Sequence, residues 1–363
     1  MTATDAKYWA EYDGLQHAKH QLLRYYLGGW FPKLASWQGR VLYLDCHAGR
    51  GRHDSGHEGS PILALNLLLG HSQRDKILSS TEVRFIFFEK DRTNYDHLCD
   101  EIGSLGELLD GVEIEIYQED YEGALRKTIA ELRSRGGSLA PSFAFVDPYG
   151  FTLSMDLLNE LLSFHAGEFL INFMYRYVDM AIHQPSYEAN MDRLFGIPDW
   201  RDLRDISNSE QRANQTIQLF SGQLNAKYVT HLYMRSVNGT LKYVLIHATN
   251  HIEGRRLMKQ AIWSVTPDGS FTANERNSPY QPVLIQAEPD LRTLENALWE
   301  QFAGQKVTMK EIYDWLLSET FLEKHIHELL RHYRNVKIIE ASGYSGRFAF
   351  KNNPLITFPA TRP

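Results

Sequence analysis

Five short apolar runs separated by helical patterns constrain this chain more than any other feature. They are Val41-Leu42-Tyr43-Leu44 and residues 83–88, 112–117, 143–146 and 169–174. Apolar runs of this length with a helix between each pair make crossover units and a mostly parallel sheet. Two further strand patterns, 228–237 and 242–248, flank Asn238-Gly239-Thr240. Asn-Gly favours a tight reversal because both positions tolerate positive φ. The expected fold is therefore α/β, Rossmann-like, with a terminal antiparallel hairpin. Residues 176–226, between the fifth strand and the hairpin, read as a helical insertion.

Past residue 290 the rhythm changes. A helix at 291–302 and helical patterns at 309–318 and 321–335 precede two strand patterns, 336–340 and 348–351, across a turn at 342–347. That is the order of a winged helix-turn-helix, so the expected division is an α/β domain over 1–290 and a winged helix over 291–363. The chain has 38 Lys or Arg against 45 Asp or Glu, a net charge of −7, so a nucleic-acid surface has to be local. Residues 305–363 hold nine Lys or Arg against six Asp or Glu. Leu322, Ile326, Leu329, Leu330 and Tyr333 share one helical face and leave Lys324, His325, Arg331 and Arg334 outward. Those cations can track a phosphate backbone, with Tyr344 and Arg347 of the wing entering a groove. The competing reading is a protein-docking or dimerisation module with a solvated basic face.

The most informative stretch follows the first strand: Leu44-Asp45-Cys46-His47-Ala48-Gly49-Arg50-Gly51-Arg52. Its glycines let the backbone turn sharply against a ligand, and the carboxylate ahead of them accepts hydrogen bonds from an amino group or hydroxyl. A dinucleotide fingerprint would open directly into a helix, but here the next apolar helix begins near Pro61. The Gly-Lys-Ser/Thr ending of a phosphate-binding P-loop is absent. Glu89, ending the second strand, can accept both hydroxyls of a ribose, and Asp120, after the third, an adenine amine. Each can equally cap the helix that follows it. Phe145-Val146-Asp147-Pro148-Tyr149-Gly150-Phe151 closes the fourth strand. Methyl transfer to an exocyclic amine needs an acceptor, a rigid turn and an aromatic face; Asp147, Pro148 and either Tyr149 or Phe151 offer those three. The plain alternative is a turn in which Asp147 caps a helix.

At these residues the chain resembles known families. Asp45 with Ala48-Gly49-Arg50-Gly51 resembles the first motif of S-adenosylmethionine-dependent methyltransferases, and five parallel strands followed by a hairpin is the class I methyltransferase order. Lys19-His20 with residues 43–52 resembles the large-subunit ribosomal RNA adenine methyltransferases of the J type over about forty residues. Across most of the chain the similarity is to the three-Cys-motif partner proteins (TcmP), through Gly59-Ser60-Pro61, residues 85–91 and 143–150, Ile171-Asn172-Phe173-Met174-Tyr175, Ala248-Thr249-Asn250-His251, Gly254, Met258-Lys259 and Trp263. That family is named for a genomic partner with three cysteines in a radical-S-adenosylmethionine-like pattern. The resemblance implies S-adenosylmethionine as cofactor, with Lys19, Asp45, Gly49 and Gly51 at matching cofactor-loop positions; His47 and the strand-end acids Glu89 and Asp120 complete the expected cofactor site. Asp147-Pro148-Tyr149 matches the amine-methyltransferase motif Asp-Pro-Pro-Tyr only in part, and Asp-Pro-aromatic-Gly looks like the motif of transfer-RNA guanine amine dimethyltransferases.

The function expected is methyl transfer to an exocyclic amine of a DNA or RNA base, with Asp147, Pro148, Tyr149 and Phe151 as catalytic residues and Lys324, Arg331, Arg334 and Arg347 on nucleic acid. The alternative is a non-catalytic subunit that delivers nucleic acid to the radical-type partner. His47, His53 and His57 lie in a glycine-rich loop without a metal-ligand spacing, so no metal site is expected. Cys46 and Cys99 form no Cys-x-x-Cys pair and fit a reducing compartment, here the cytoplasm. The first twenty residues lack an apolar core and the apolar run 62–69 is broken by Asn66, so neither a signal peptide nor a membrane span is expected.

Overall fold

The structure is a computed structural model that describes residues 9–10, 12–35, 39–150, 152–275, 289–344 and 349–362. These divide into two compact units, one within Met1–Ala261 and Thr272–Pro282, the other within Ile262–Phe271 and Val283–Pro363. Among the described residues, no helix is long and apolar enough to cross a membrane.

The first unit is built on an eight-stranded sheet of order β3-β2-β1-β4-β5-β7-β6-β8. Its strands are β1 Gly39–Asp45, β2 Thr81–Phe88, β3 Val112–Tyr117, β4 Ser142–Val146, β5 Gly167–Phe173, β6 Tyr228–Arg235, β7 Leu241–Thr249 and β8 Thr272–Asn274. The first five run parallel, and β7 is antiparallel to both β5 and β6. This is the class I methyltransferase order. The hairpin turns where expected, with Gly239 at φ 80°. β8, which adds parallel to β6, is a strand that three residues without a clear alternation do not announce.

Phenylalanines stack through the centre of the sheet: Phe85, Phe87, Phe143, Phe145, Phe169 and Phe173 are all fully buried. The helix Gly14–Leu34 covers one face, packing Tyr26 on Phe143 and Phe31 on Phe85. Helices between β5 and β6, at Tyr175–Ala181, Glu188–Phe195 and Ser209–Gly222, bury Phe195 and Phe220 on the other face, and Trp200 joins them from the 3-10 segment Pro198–Asp205. Parallel strands end at a common edge. Asp45 stands level with Phe87 and Phe145, and Val146 with Ile171, so Asp147, the first residue past β4, comes beside Asn172 of β5.

The second unit contains helices Leu291–Phe302, Met309–Leu316 and Glu323–Asn335 and the sheet β10-β11-β9, with β9 Lys306–Thr308, β10 Glu340–Ser342 and β11 Leu355–Thr357. Two expectations need correction. The wing strands are not 336–340 and 348–351: Phe350 lies in a 3-10 turn with its ring stacked on His327 at 4.3 Å, and the returning strand begins only after Asn353, at φ 50°, and Pro354. His325 is buried rather than outward. Its Nδ1 accepts from the Leu322 N–H at 3.1 Å, capping the helix start, and its ring packs 4.3 Å from Trp263. Lys324, Arg331 and Arg334 are exposed, with Lys324 over the Trp263 ring and Arg331 over Phe350. Arg347 lies outside the described residues.

Candidate active site

The turn after β1 is held by the neighbouring strand end. Gly49 and Gly51 have φ of 64° and 81°, a region that favours glycine. At Gly49 space matters too, since a Cβ would fall 2.5 Å from the Trp9 indole. The Gly49 N–H donates to Glu89 Oε2 at 2.8 Å, and the Asp91 N–H donates to Oε1 at 2.7 Å. Glu89 thus clamps the glycine turn onto the end of β2. Burial pushes its carboxyl up, and the two amide donors oppose that.

Asp45 sits wholly inside, beneath the turn. It accepts from the Ser60 side chain, from the His47 N–H at 3.3 Å and from the Tyr43 hydroxyl at 3.4 Å. Burial outweighs these donors and carries its carboxyl up to about 7.

Asp147 is the other centre. Lys19 Nζ, from the helix Gly14–Leu34, donates to Oδ2 at 2.5 Å, and Asn172 Nδ2 donates to Oδ1 at 2.6 Å. The side chains are 3% exposed for Lys19 and 14% for Asp147, so the pair is desolvated. Burial alone would raise the Asp147 carboxyl, but the charge and hydrogen bond of Lys19, with the Asn172 amide, bring it below its ordinary value. An ionised carboxylate only accepts, which obliges Asn172 to present its NH2 group and turns Oδ1 the other way. That oxygen is buried without a hydrogen-bond partner among the described residues. Pro148 is buried and stiffens the turn, while Tyr149 is 61% exposed. The Tyr149 ring lies 5.8 Å from that of Tyr177, and a hydrogen bond between their hydroxyls raises Tyr177 to about 12. Phe151 lies outside the described residues.

A cavity of about 370 Å³ is lined by four of the expected residues, His47, Glu89, Asp120 and Tyr149, with Phe88 and Tyr121 as apolar walls and Arg193 from the segment between β5 and β6. Asp120 is exposed and caps the helix Tyr121–Ser134 through the Glu122 N–H at 3.1 Å. Burial pushes the His47 imidazole down to about 4, its ring meets Tyr121 edge-on at 4.9 Å, and its Nδ1 has no hydrogen-bond partner among the described residues. Lys19, Asp45, Gly49, Gly51, Asp147 and Pro148 do not line the cavity. The structure therefore resolves the expected residues into a polar cavity, a clamped turn and a braced carboxylate.

The family resemblance includes Ser60 and Asn172 but assigns them no role in the site, and it leaves out Arg193. Asn172 had a signal: it is the one polar residue near the end of the apolar stretch Phe169-Leu170-Ile171-Asn172-Phe173. Arg193 had none, as one charge among several on a surface helix.

Residues 272–345 match the GMT-like wHTH domain family. The winged helix read from element order is thus shown independently. No curated protein matches the chain. Among solved structures, Trm1 from Pyrococcus horikoshii, in complex with S-adenosyl-L-methionine, overlays with a TM-score of 0.38 at 11% identity, over 97% of this chain and 93% of that one. The methyltransferase domain of bacterial CtHen1 overlays at 0.31 with 13% identity, over 63% and 100%. Protein LPL1258 from Legionella pneumophila overlays at 0.37 with 14% identity, over 70% and 94%. Likenesses this distant add nothing to what the strand order already establishes.

Proposed function

We propose that this chain is an S-adenosylmethionine-dependent methyltransferase acting on an exocyclic amine of a nucleic-acid base, with its winged helix binding the nucleic acid. The observation that carries the reading is an ionised, desolvated Asp147, braced by Lys19 and Asn172, at the same sheet edge as a glycine turn clamped by Glu89. The cavity suits that cofactor. Glu89 and Asp120 keep acceptor positions for hydroxyls and an amine, Phe88 and Tyr121 offer apolar walls, and His47 Nδ1, without a hydrogen-bond partner among the described residues, is a buried polar atom that a ligand can engage. When bound, the cofactor supplies an electrophilic methyl group.

The chain's own residues do the positioning. Asp147 accepts an N–H of the amine on a lone pair that Lys19 and Asn172 leave open, and the fixed φ of Pro148 keeps the acceptor in place. Tyr149, steadied by Tyr177, presents a ring on which a base can stack. No strong base is required, because an alkylated amine readily loses a proton to water.

Labelled-methyl transfer to DNA and RNA tests this. Asp147→Ala is expected to reduce transfer by at least about a hundredfold, an effect of mispositioning, while S-adenosylmethionine binding measured by calorimetry persists. Equal transfer by the variant would overturn the assignment. For the winged helix, Arg331→Ala and Arg334→Ala should weaken binding to many sequences alike and each flatten the salt slope by about one unit. Unchanged slopes in both would remove that helix from the interface.

One observation favours the second reading, a subunit delivering nucleic acid to a three-Cys-motif radical-type protein. Both Asp147 oxygens already serve internal partners, as in a purely structural ion pair. On that reading nucleic acid binds and no methyl group is transferred.

A further inference from the structure

A second cavity, of about 310 Å³, lies at the other end of β5. Glu168 lines it, four residues before Asn172 and so about 13 Å from it along the strand. Glu168 is 7% exposed, and Tyr26 and Trp30 contribute aromatic walls. A buried carboxylate on a cavity wall calls for an explanation, because desolvating a charge is expensive unless it is paired.

The internal partners of Glu168 occupy little of it. The Tyr26 hydroxyl donates to its carboxylate. His247 Nε2 lies 3.2 Å from the Tyr26 oxygen and 3.6 Å from Glu168 Oε2, so the hydrogen bonds run from His247 to Tyr26 to Glu168. That chain uses one of about four acceptor positions on the carboxylate. The first turn of the helix Ile252–Val265 comes close to it: a Cβ on Gly254 would stand 2.7 Å from Oε2. At the rim, Lys33 pairs with Glu253 at 2.8 Å. Glu253 also pairs with Arg256 at 2.8 Å, so among the described residues Glu168 is the lining carboxylate without a Lys or Arg partner.

We propose that this cavity binds a compact organic cation, a guanidinium or primary ammonium group, with Glu168 as its counter-ion and the Tyr26 and Trp30 rings beside it. A neutral ligand would satisfy the apolar walls but not the carboxylate. A cation satisfies both, since aromatic faces attract cations and a desolvated carboxylate makes charge-assisted hydrogen bonds. Ala166, which also lines the cavity, has φ 59°, a left-handed conformation that costs a non-glycine residue energy and that clusters at ligand sites. The volume holds the equivalent of about ten waters, enough for one small molecule or one arginine-like side chain.

Titration calorimetry on the full chain, with agmatine as probe and uncharged butylurea as control, tests the assignment. Agmatine is expected to give a saturable isotherm and butylurea none. Glu168→Gln, which keeps an acceptor for Tyr26, should weaken agmatine binding at least about tenfold. Leu34→Trp adds bulk at another lining residue and leaves Glu168 in place; it should abolish binding, which keeps the proposal testable if Glu168→Gln does not fold. No agmatine binding at about 10 mM, equal binding of butylurea, or full affinity in a folded variant of either kind would each overturn it. Neither arm uses S-adenosylmethionine or methyl transfer, so the result stands apart from the function proposed above.

Discussion

Replacing Lys19 by methionine is expected to destabilise the chain by about 3–5 kcal/mol, the loss typical when one partner of a buried ion pair is removed. Methionine fills much of the space of the lysine stem, so the effect isolates the charge. Its pH dependence is the sharper signature. In the native chain the Asp147 carboxyl lies below its ordinary value, so its contribution is present above the unfolded carboxylate value and is lost as pH falls through the lowered folded one. Without Lys19, burial is the largest remaining influence and pushes the carboxyl up. The sign then reverses: folding favours the protonated acid, and stability is lost as pH rises through the raised folded value. Urea denaturation should therefore show Lys19→Met closest to wild type near pH 4 and furthest from it near pH 8. Adding Asp147→Asn should recover most of the loss at pH 8, since no unpaired charge remains. A Lys19→Met variant within about 1 kcal/mol of wild type at pH 8 would show that the pair is hydrated and not buried as described.

How far such features can be read from the chain alone depends on the range of the interaction. The central strands β1, β4 and β5 were legible because strands buried on both faces are largely apolar, β3 at the sheet edge shows the alternation Val112-Glu113-Ile114-Glu115-Ile116, and acids stand out where strands end: Asp45, Glu89, Asp120 and Asp147. The tasks of those acids were less legible. Glu89 gives one acceptor position on each oxygen to Gly49 and Asp91, and Asp120 caps a helix, which only the placement of β1 beside β2 and the local turn geometry reveal. The Lys19–Asp147 bond joins positions 128 apart, and no local pattern encodes such a pairing. His325 was misplaced for a different reason. It lies three residues after Leu322 and four before Leu329, so helical spacing puts it on the apolar face, whereas its polarity suggested solvent. The wing strand was misplaced because Phe350 has strand-like neighbours but spends its ring on His327.

Asp45→Asn is expected to stabilise the protein at alkaline pH while weakening the binding of S-adenosylmethionine proposed for the glycine turn above it. The Asp45 carboxyl is fully buried and titrates near 7 when folded, against about 4 when exposed. A raised folded value means that its contribution is complete below pH 4 and disappears as pH rises to about 7. Above that, the chain carries an ionised carboxylate in a site that disfavours it, a penalty of order 3–4 kcal/mol by linkage. Asparagine removes the charge and keeps one acceptor oxygen. Two of the three donors around Asp45, the hydroxyls of Tyr43 and Ser60, can rotate to accept from the new NH2 group, while the His47 N–H keeps the retained oxygen. Rehydrogen-bonding will be imperfect, so a gain of about 1–3 kcal/mol at pH 8 is expected, with little or none at pH 4. Thermal melts at the two pH values measure it directly. A melting temperature that rises equally at both would assign the effect to packing, and one that falls at pH 8 would mean that the ionised form is the one the fold requires. If the charge is kept for a cationic ligand, S-adenosylmethionine should stabilise the wild type at pH 8 more than it stabilises Asp45→Asn. The gain in the free protein and the loss in the bound one would then be two measurements of the same buried charge.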